Sequence, residues 1–409
     1  MDWIQRIWQT KVRLTLHEKI DLCRGLFAAM VVLAHGYDIA LEVFPQFDAH
    51  LPIEIVHILK STVGLGIYYV MGFFVLSGYC IQLSVARSME NGEFTLRRYF
   101  VARLSRIMPL YYLALLLTIP IEWAMVGARP HVCPNGLDAA TLLGQIVFLQ
   151  NLTETFGSYA PSWSITNELF YYLFYGFLAA LFTSKGSRPA AVGLVVCASA
   201  AVVTQLLYVT TARSPYVYSL GMLLGLGMLW FVGALIAIHG QTWLESHFVR
   251  TSARLWPLVL ATAFLWQIFR LPSQGVYMLS GLSFSLMLIS FIGASGGSAD
   301  SAGGRFRATL ITTLGLSSYP MYLFHAPLMM LVGSWLMRWS SPIDWRLTWA
   351  LLTAVGLGSG VLLGWVLERP VMNWRGSMLR NLKESEPRVV LGRPATDLRP
   401  ASLNAATRS

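Results

Sequence analysis

Apolar runs of about 17 to 25 residues, each long enough to cross a bilayer as a helix, recur along nearly the whole of this 409-residue chain. No other feature limits its folding as strongly, because a segment surrounded by lipid must satisfy its own backbone polar groups and does so as a helix. Only 12% of the residues are charged and 55% are hydrophobic, whereas a soluble domain carries roughly twice that charge. The pattern predicts an all-α integral membrane protein of about ten transmembrane helices. They are expected near residues 21–40, 62–85, 104–126, 164–184, 190–210, 216–238, 252–270, 275–293, 308–335 and 347–368. A hydrophobic piece at 139–150 is too short to span and reads as interfacial or re-entrant. Residues 1–20 carry Arg6, Lys11, Arg13 and Lys19 among amphipathic positions. They read as a cytoplasmic segment and not as a cleavable signal peptide.

The chain has 30 Lys and Arg against 20 Asp and Glu, a formal net charge of +10. With the N-terminus inside, most of the basic residues fall in inside segments, which follows the positive-inside rule and predicts that both termini are cytoplasmic. The charge therefore answers to the membrane, and nucleic acid is not an expected partner. Cys23, Cys80, Cys133 and Cys197 are scattered and form no metal or disulfide pattern; Cys133 falls in an expected outer loop. Residues 21–372 read as one transmembrane domain. From 373 to 409 the composition turns to Arg, Pro, Ser, Thr and Asn, that of a basic, disordered cytoplasmic tail.

A titratable side chain inside a spanning helix costs roughly 2.5 to 3.5 kcal/mol, so each one needs a reason. Arg24 and His35 lie in the first expected helix, Glu168 in the fourth and His325 in the ninth. Arg24 and His35 are 11 residues apart, which at about 100° per residue puts both on one stripe, roughly 16 Å apart along the axis. That geometry suits a long ligand held by its anionic end at the cytoplasmic mouth while its reactive end reaches inward. A snorkelling arginine and a packing histidine explain the pair equally well at this stage.

The stretch Leu96–Arg106 holds Arg97, Arg98, Arg103 and Arg106 with no acidic residue, and Pro109 follows. Arg103 and Arg106 share a helix face, and guanidinium groups match phosphate bidentately. Positive-inside bias also accounts for the charge. Glu168 follows Pro161-Ser162-Trp163-Ser164 by one to two helical turns and reads as a proton carrier, a sugar-hydroxyl acceptor or a partner for a buried cation. His325 lies between Pro320 and Pro327, which are expected to kink or break their helix beside a cavity. Glu368, at the inner end of the last helix, reads as the partner of a cytoplasmic arginine.

Together these segments resemble the acyltransferase-3 family. The likeness is carried by Ile20-Asp21-Leu22-Cys23-Arg24 through His35, Gly72-Phe73-Phe74-Val75-Leu76-Ser77-Gly78-Tyr79 and Arg103-Leu104-Ser105-Arg106-Ile107-Met108-Pro109-Leu110-Tyr111. Trp163-Ser164 with Glu168, Ser318-Tyr319 through His325 and Pro327, and Glu368-Arg369-Pro370 complete the order. The resemblance implies a multi-pass enzyme of a bacterial cytoplasmic (inner) membrane that moves an acyl group from cytoplasmic acyl-CoA, most often acetyl-CoA, to a carbohydrate hydroxyl. Such acceptors include lipopolysaccharide, exopolysaccharide and lipid-linked saccharides, and glycan-biosynthesis or export proteins are implied as partners. It further implies His35 as general base or transient acyl carrier, Arg24, Arg103 and Arg106 on the CoA phosphates, and Glu168 and His325 toward the acceptor, with acyl-CoA as co-substrate and neither a permanently bound cofactor nor a metal. A succinyl donor stays open within this class. Outside it, a transporter or flippase for a glycan or anionic metabolite would also carry intramembrane Arg, His and Glu. Departures from the family pattern include Cys23, Phe27 and the Asn167 and Leu169 that flank Glu168.

Overall fold

The computed structural model of the protein describes residues 14–43, 52–63, 66–125, 127–128, 130, 136–182, 186–211, 213–294, 302–338 and 344–385. Residues 1–13, Cys133 and the end of the expected tail lie outside them. Among the described residues there is no strand, as expected of a chain whose spanning segments are surrounded by lipid.

The helices are α1 Leu16–Val43, α2 Ile53–Thr62, α3 Ile67–Glu90, α4 Leu96–Ala124, α5 Ala139–Ile146, α6 Gln150–Thr153, α7 Trp163–Leu181 and α8 Arg188–Thr210. There follow α9 Pro215–Trp243, α10 His247–Ser252, α11 Trp256–Ile268, α12 Ser273–Gly293, α13 Ala302–Arg338, α14 Trp345–Leu363 and α15 Arg369–Ser385. Every expected spanning segment is mainly helical over its described residues. Eight stretches among the described residues are long and apolar enough to cross a membrane, so the protein is a multi-pass membrane protein. The other two expected spans, α7 and α11, fall outside that set. The 13 residues of α11 cover about 20 Å, short of a hydrocarbon core of about 30 Å.

Local chemistry sets several ends. Thr95 caps α4 by accepting from Arg98 N at 3.2 Å, and Asp138 caps α5 by accepting from Thr141 N at 2.8 Å; each satisfies a donor that the first turn leaves orphaned. The 139–150 segment forms α5 and the single turn α6, too short to span. A polar cluster ties it down. Tyr111 donates to Gln145 O at 2.8 Å and accepts from Gln145 and Gln150, while Gln145 Nε2 reaches Ser162 Oγ at 2.9 Å. This cluster fixes the start of α7. At the other end of the pair Tyr99 donates to Tyr172 O at 3.0 Å and Phe100 stacks edge-on against Phe177, so α4 and α7 run antiparallel.

The tightest crossing joins α3 to α9. A Cβ at Gly78 would run into the Trp230 carbonyl, and one at Gly233 into that of Val75. Small residues let the backbones touch, and backbone, unlike a side-chain tip, cannot swing away. Gly78→Ala or Gly233→Ala should therefore lower the unfolding midpoint in detergent, by about 1–3 kcal/mol of stability. Gly358→Ala, where no atom lies within 4 Å of the added methyl, should leave it unchanged.

Two expectations change. Pro320 and Pro327 do not break α13, which runs continuously for 37 residues. Residues 373–385, expected in the tail, are helical. Pro370 cannot donate to an α-helical ladder and crowds the preceding turn. The chain accommodates it by a five-residue π turn at Gly364–Glu368 and then continues as α15. Lys383 of α15 pairs with Glu93 in the α3–α4 turn, where Arg98 also binds Glu93 at 3.0 Å. The Lys383 ammonium, helped by Arg98 and opposed by partial burial, holds the Glu93 carboxyl below the usual carboxylate range. Because the folded value is the lower one, this anchor is complete above the unfolded value of 4.5 and is lost as pH falls through the folded value. A spin label at Asn381→Cys should gain mobility on such acidification, and Glu93→Gln should be mobile at every pH.

Candidate active site

Helix α1 lies chiefly against α13, with α14 and α3 beside it, and this packing brings together groups far apart in sequence. His35 Nδ1 and His325 Nε2 are 2.8 Å apart, with the rings nearly coplanar at 14°. His325 Nδ1 lies 2.9 Å from Met321 O. A carbonyl only accepts, so His325 Nδ1 must carry the proton and its Nε2 must be the acceptor when neutral. His35 then donates from Nδ1, and its Nε2 keeps the free lone pair. The arrangement is an oriented imidazole whose base atom is set by a second imidazole and a carbonyl, the same logic by which a third group orients a catalytic histidine.

His325 is fully buried. Next to it Tyr322, its ring 6.0 Å from that of His325 and 5.9 Å from Phe73, bonds Ser164 Oγ at 2.7 Å and Pro161 O at 3.2 Å. The start of α7 is thus pinned to the middle of α13.

Tyr322 also lines a cavity of about 240 Å³. Arg24, Arg103, Arg106 and Arg375 line it with a single carboxylate, Glu168; Ser77, Cys80, Ser164, Ser318 and Tyr319 are also on its wall. Arg24 stands 3.9 Å from Asp21 Oδ1 on its own helix. Arg103 donates to Ser84 Oγ at 2.7 Å and lies over the Tyr99 ring, while its buried Nε has no partner. Arg106 is ion-paired with Glu368 on the π turn, as expected of Glu368, and lies over the Tyr319 ring. Arg375 donates to Ala102 O at 3.0 Å.

Glu168 faces this cavity and not the histidine pair. Its Oε1 accepts from Ser77 Oγ at 2.6 Å and from Tyr172 OH, and Trp230 Nε1 supports Ser77 Oγ at 3.1 Å. Among the described residues only that one oxygen is engaged.

Arg24, Arg103, Arg106 and Glu168 are therefore brought together, His35 and His325 form a second group, and Tyr322 borders both. Arg375 is the site residue that sequence reasoning missed. The signal was present in Arg369–Ser385, whose polar and apolar residues alternate with helical period, but Pro370 reads as a stop. Among the described residues no cluster of three or more His, Cys, Asp or Glu could hold a metal.

Fold and site together define a multi-pass helical membrane protein with a cationic cavity and a histidine pair that both border Tyr322. A family model described as an acyltransferase domain matches residues 17–369, and the chain belongs to the acyltransferase-3 family, whose shared activity is membrane acyl transfer. No curated protein and no solved structure matches it.

Proposed function

We propose that the protein transfers an acyl group, acetyl foremost, from cytoplasmic acyl-CoA to a hydroxyl of a cell-surface or exported glycan, in a bacterial cytoplasmic membrane. The observation that carries this reading is the arrangement of the two groups: a guanidinium-lined cavity and an imidazole with its base nitrogen free, with Tyr322 bordering both. The arginine-bearing end is taken as cytoplasmic because short inside segments retain Lys and Arg, which places both termini inside and gives the donor access from its own compartment.

Arg24 and Arg103 hold the CoA phosphates through charge-assisted bonds, and Arg106, its charge offset by Glu368, lines the same wall. Glu168 accepts from an amide N–H of the pantetheine arm with its second oxygen. The thioester then passes Tyr322 toward His35. His35 Nε2 takes the proton of the acceptor hydroxyl as that oxygen attacks the thioester carbon. The carbon–sulfur bond breaks, and the imidazolium returns the proton to the departing thiolate. His325 supports the positive charge on His35 by accepting from its Nδ1–H.

The test is transfer of labelled acetyl from acetyl-CoA to a glycan extract of the host by purified protein in nanodiscs, alongside the acyl content of the host's surface glycans with and without the gene. Label in glycan and loss of acyl groups on deletion support the reading. Unchanged acyl content with glycan retained inside the cell would favour the transporter instead.

A further inference from the structure

Beside the arginine cavity, at the same end of the molecule, lies a second one of about 220 Å³. The two share Arg103 and Arg375 as wall residues, so this pair of guanidinium groups belongs to both. Arg87 and Arg98 complete the cationic lining, and Ser88 and Asn91 add neutral hydrogen-bonding groups. One carboxylate, Glu93, also lines it, but that charge is already matched by Arg98 and Lys383. Among the described residues no ion pair joins Arg87, Arg103 or Arg375 to a carboxylate, and the buried Arg103 Nε lacks any partner. Like charges gathered without counter-ions repel, and an anion between them removes that cost; phosphate suits guanidinium geometry best.

We infer that this second cavity is a nucleotide-phosphate subsite for the phosphorylated adenosine end of the acyl-CoA donor, an inference that rests on the donor reading above. A ligand filling both cavities must carry phosphate beside the shared Arg103 and Arg375 and an arm on either side. A CoA thioester is built that way: its diphosphate falls among Arg24, Arg103 and Arg375, its pantetheine arm further into the first cavity, and its 3′-phosphoadenosine in the second against Arg87 and Arg98. Helix α15 supplies Arg375, so the segment beyond Pro370 is part of the donor site. The same cations would also suit a lipid phosphate headgroup, which has no arm to place in the first cavity.

The test is calorimetric binding of adenosine 3′,5′-bisphosphate and of 5′-AMP to the full chain in nanodiscs. The bisphosphate should bind at least tenfold more tightly than 5′-AMP. Arg87→Gln, and separately Arg98→Gln, should remove most of that difference while leaving 5′-AMP binding near its original strength. Arg87→Gln keeps the inference testable where loss of Arg98 disturbs the Glu93 contacts. Equal affinity for the two nucleotides, or bisphosphate binding indifferent to Arg87→Gln, would overturn the subsite. So would binding in zwitterionic nanodiscs that anionic lipid abolishes, which would assign the cavity to a headgroup. Acetyl-CoA titrated in parallel separates the two failures. Acetyl-CoA bound without bisphosphate selectivity removes the subsite alone, and acetyl-CoA not bound at all removes the donor reading.

Discussion

His35→Ala is expected to lower the turnover of acyl transfer by about 10³-fold, the middle of the range for a positioned general base, while the affinity for acyl-CoA stays close to that of the wild type. The two halves of this result have separate structural causes. His35 Nε2 is the lone pair left free by the chain of bonds through His325 to Met321 O, so its loss removes the proposed proton acceptor. The cavity proposed to hold the donor is lined by Arg24 and Arg103 and does not include His35, so binding is expected to survive. Single-turnover rates and equilibrium binding, measured on the same preparation, separate the two. A variant that binds acyl-CoA and still transfers at the wild-type rate would remove His35 from the chemistry.

Glu368→Ala should be the most damaging single change to stability. The Glu368 side chain is fully buried on the π turn and pairs with Arg106, whose side chain retains 19% exposure. Removing one partner of a buried pair leaves the other charge uncompensated, at a cost of about 3–5 kcal/mol. The residual exposure of Arg106 puts the expectation near 3 kcal/mol. Arg106→Leu combined with Glu368→Ala should regain most of that loss, because no lone charge remains. Thermal unfolding of the wild type, both single variants and the double variant closes the cycle; a Glu368→Ala protein as stable as the wild type would show that the pair holds nothing in place.

The spanning helices were legible because lipid leaves a long apolar segment one way to satisfy its backbone. The run 21–40 is helical, within Leu16–Val43, and carries Arg24 and His35 on one unbroken helix. Their common stripe follows from helical geometry alone. Which neighbours such a residue meets does not follow, since that depends on packing between distant segments. The bond from His35 to His325 joins positions 290 residues apart, and the tautomers follow only from Met321 O being within reach. Glu168 illustrates the same limit. Its depth below the start of α7 was readable, but its orientation toward the arginine cavity is set by Ser77 of α3 and Trp230 of α9.

Arg375 was hidden for a different reason. Pro370 ordinarily ends a helix, and the π turn that absorbs it leaves no mark in the residue pattern. Pro320 and Pro327 do not end their helix either, since α13 passes through both. Whether α7 and α11 cross the whole bilayer was likewise beyond periodicity: one carries Asn167 and Glu168, and the other is too short to span alone.

The most direct test of the donor path is a cryo-electron microscopy map of the protein in nanodiscs with a non-hydrolysable thioether analogue of acetyl-CoA. The expected result is phosphate density within hydrogen-bonding distance of Arg24 and Arg103, and the acyl carbon within reach of His35 Nε2. An analogue bound with its acyl end away from the histidine pair, or outside the arginine cavity altogether, would contradict it.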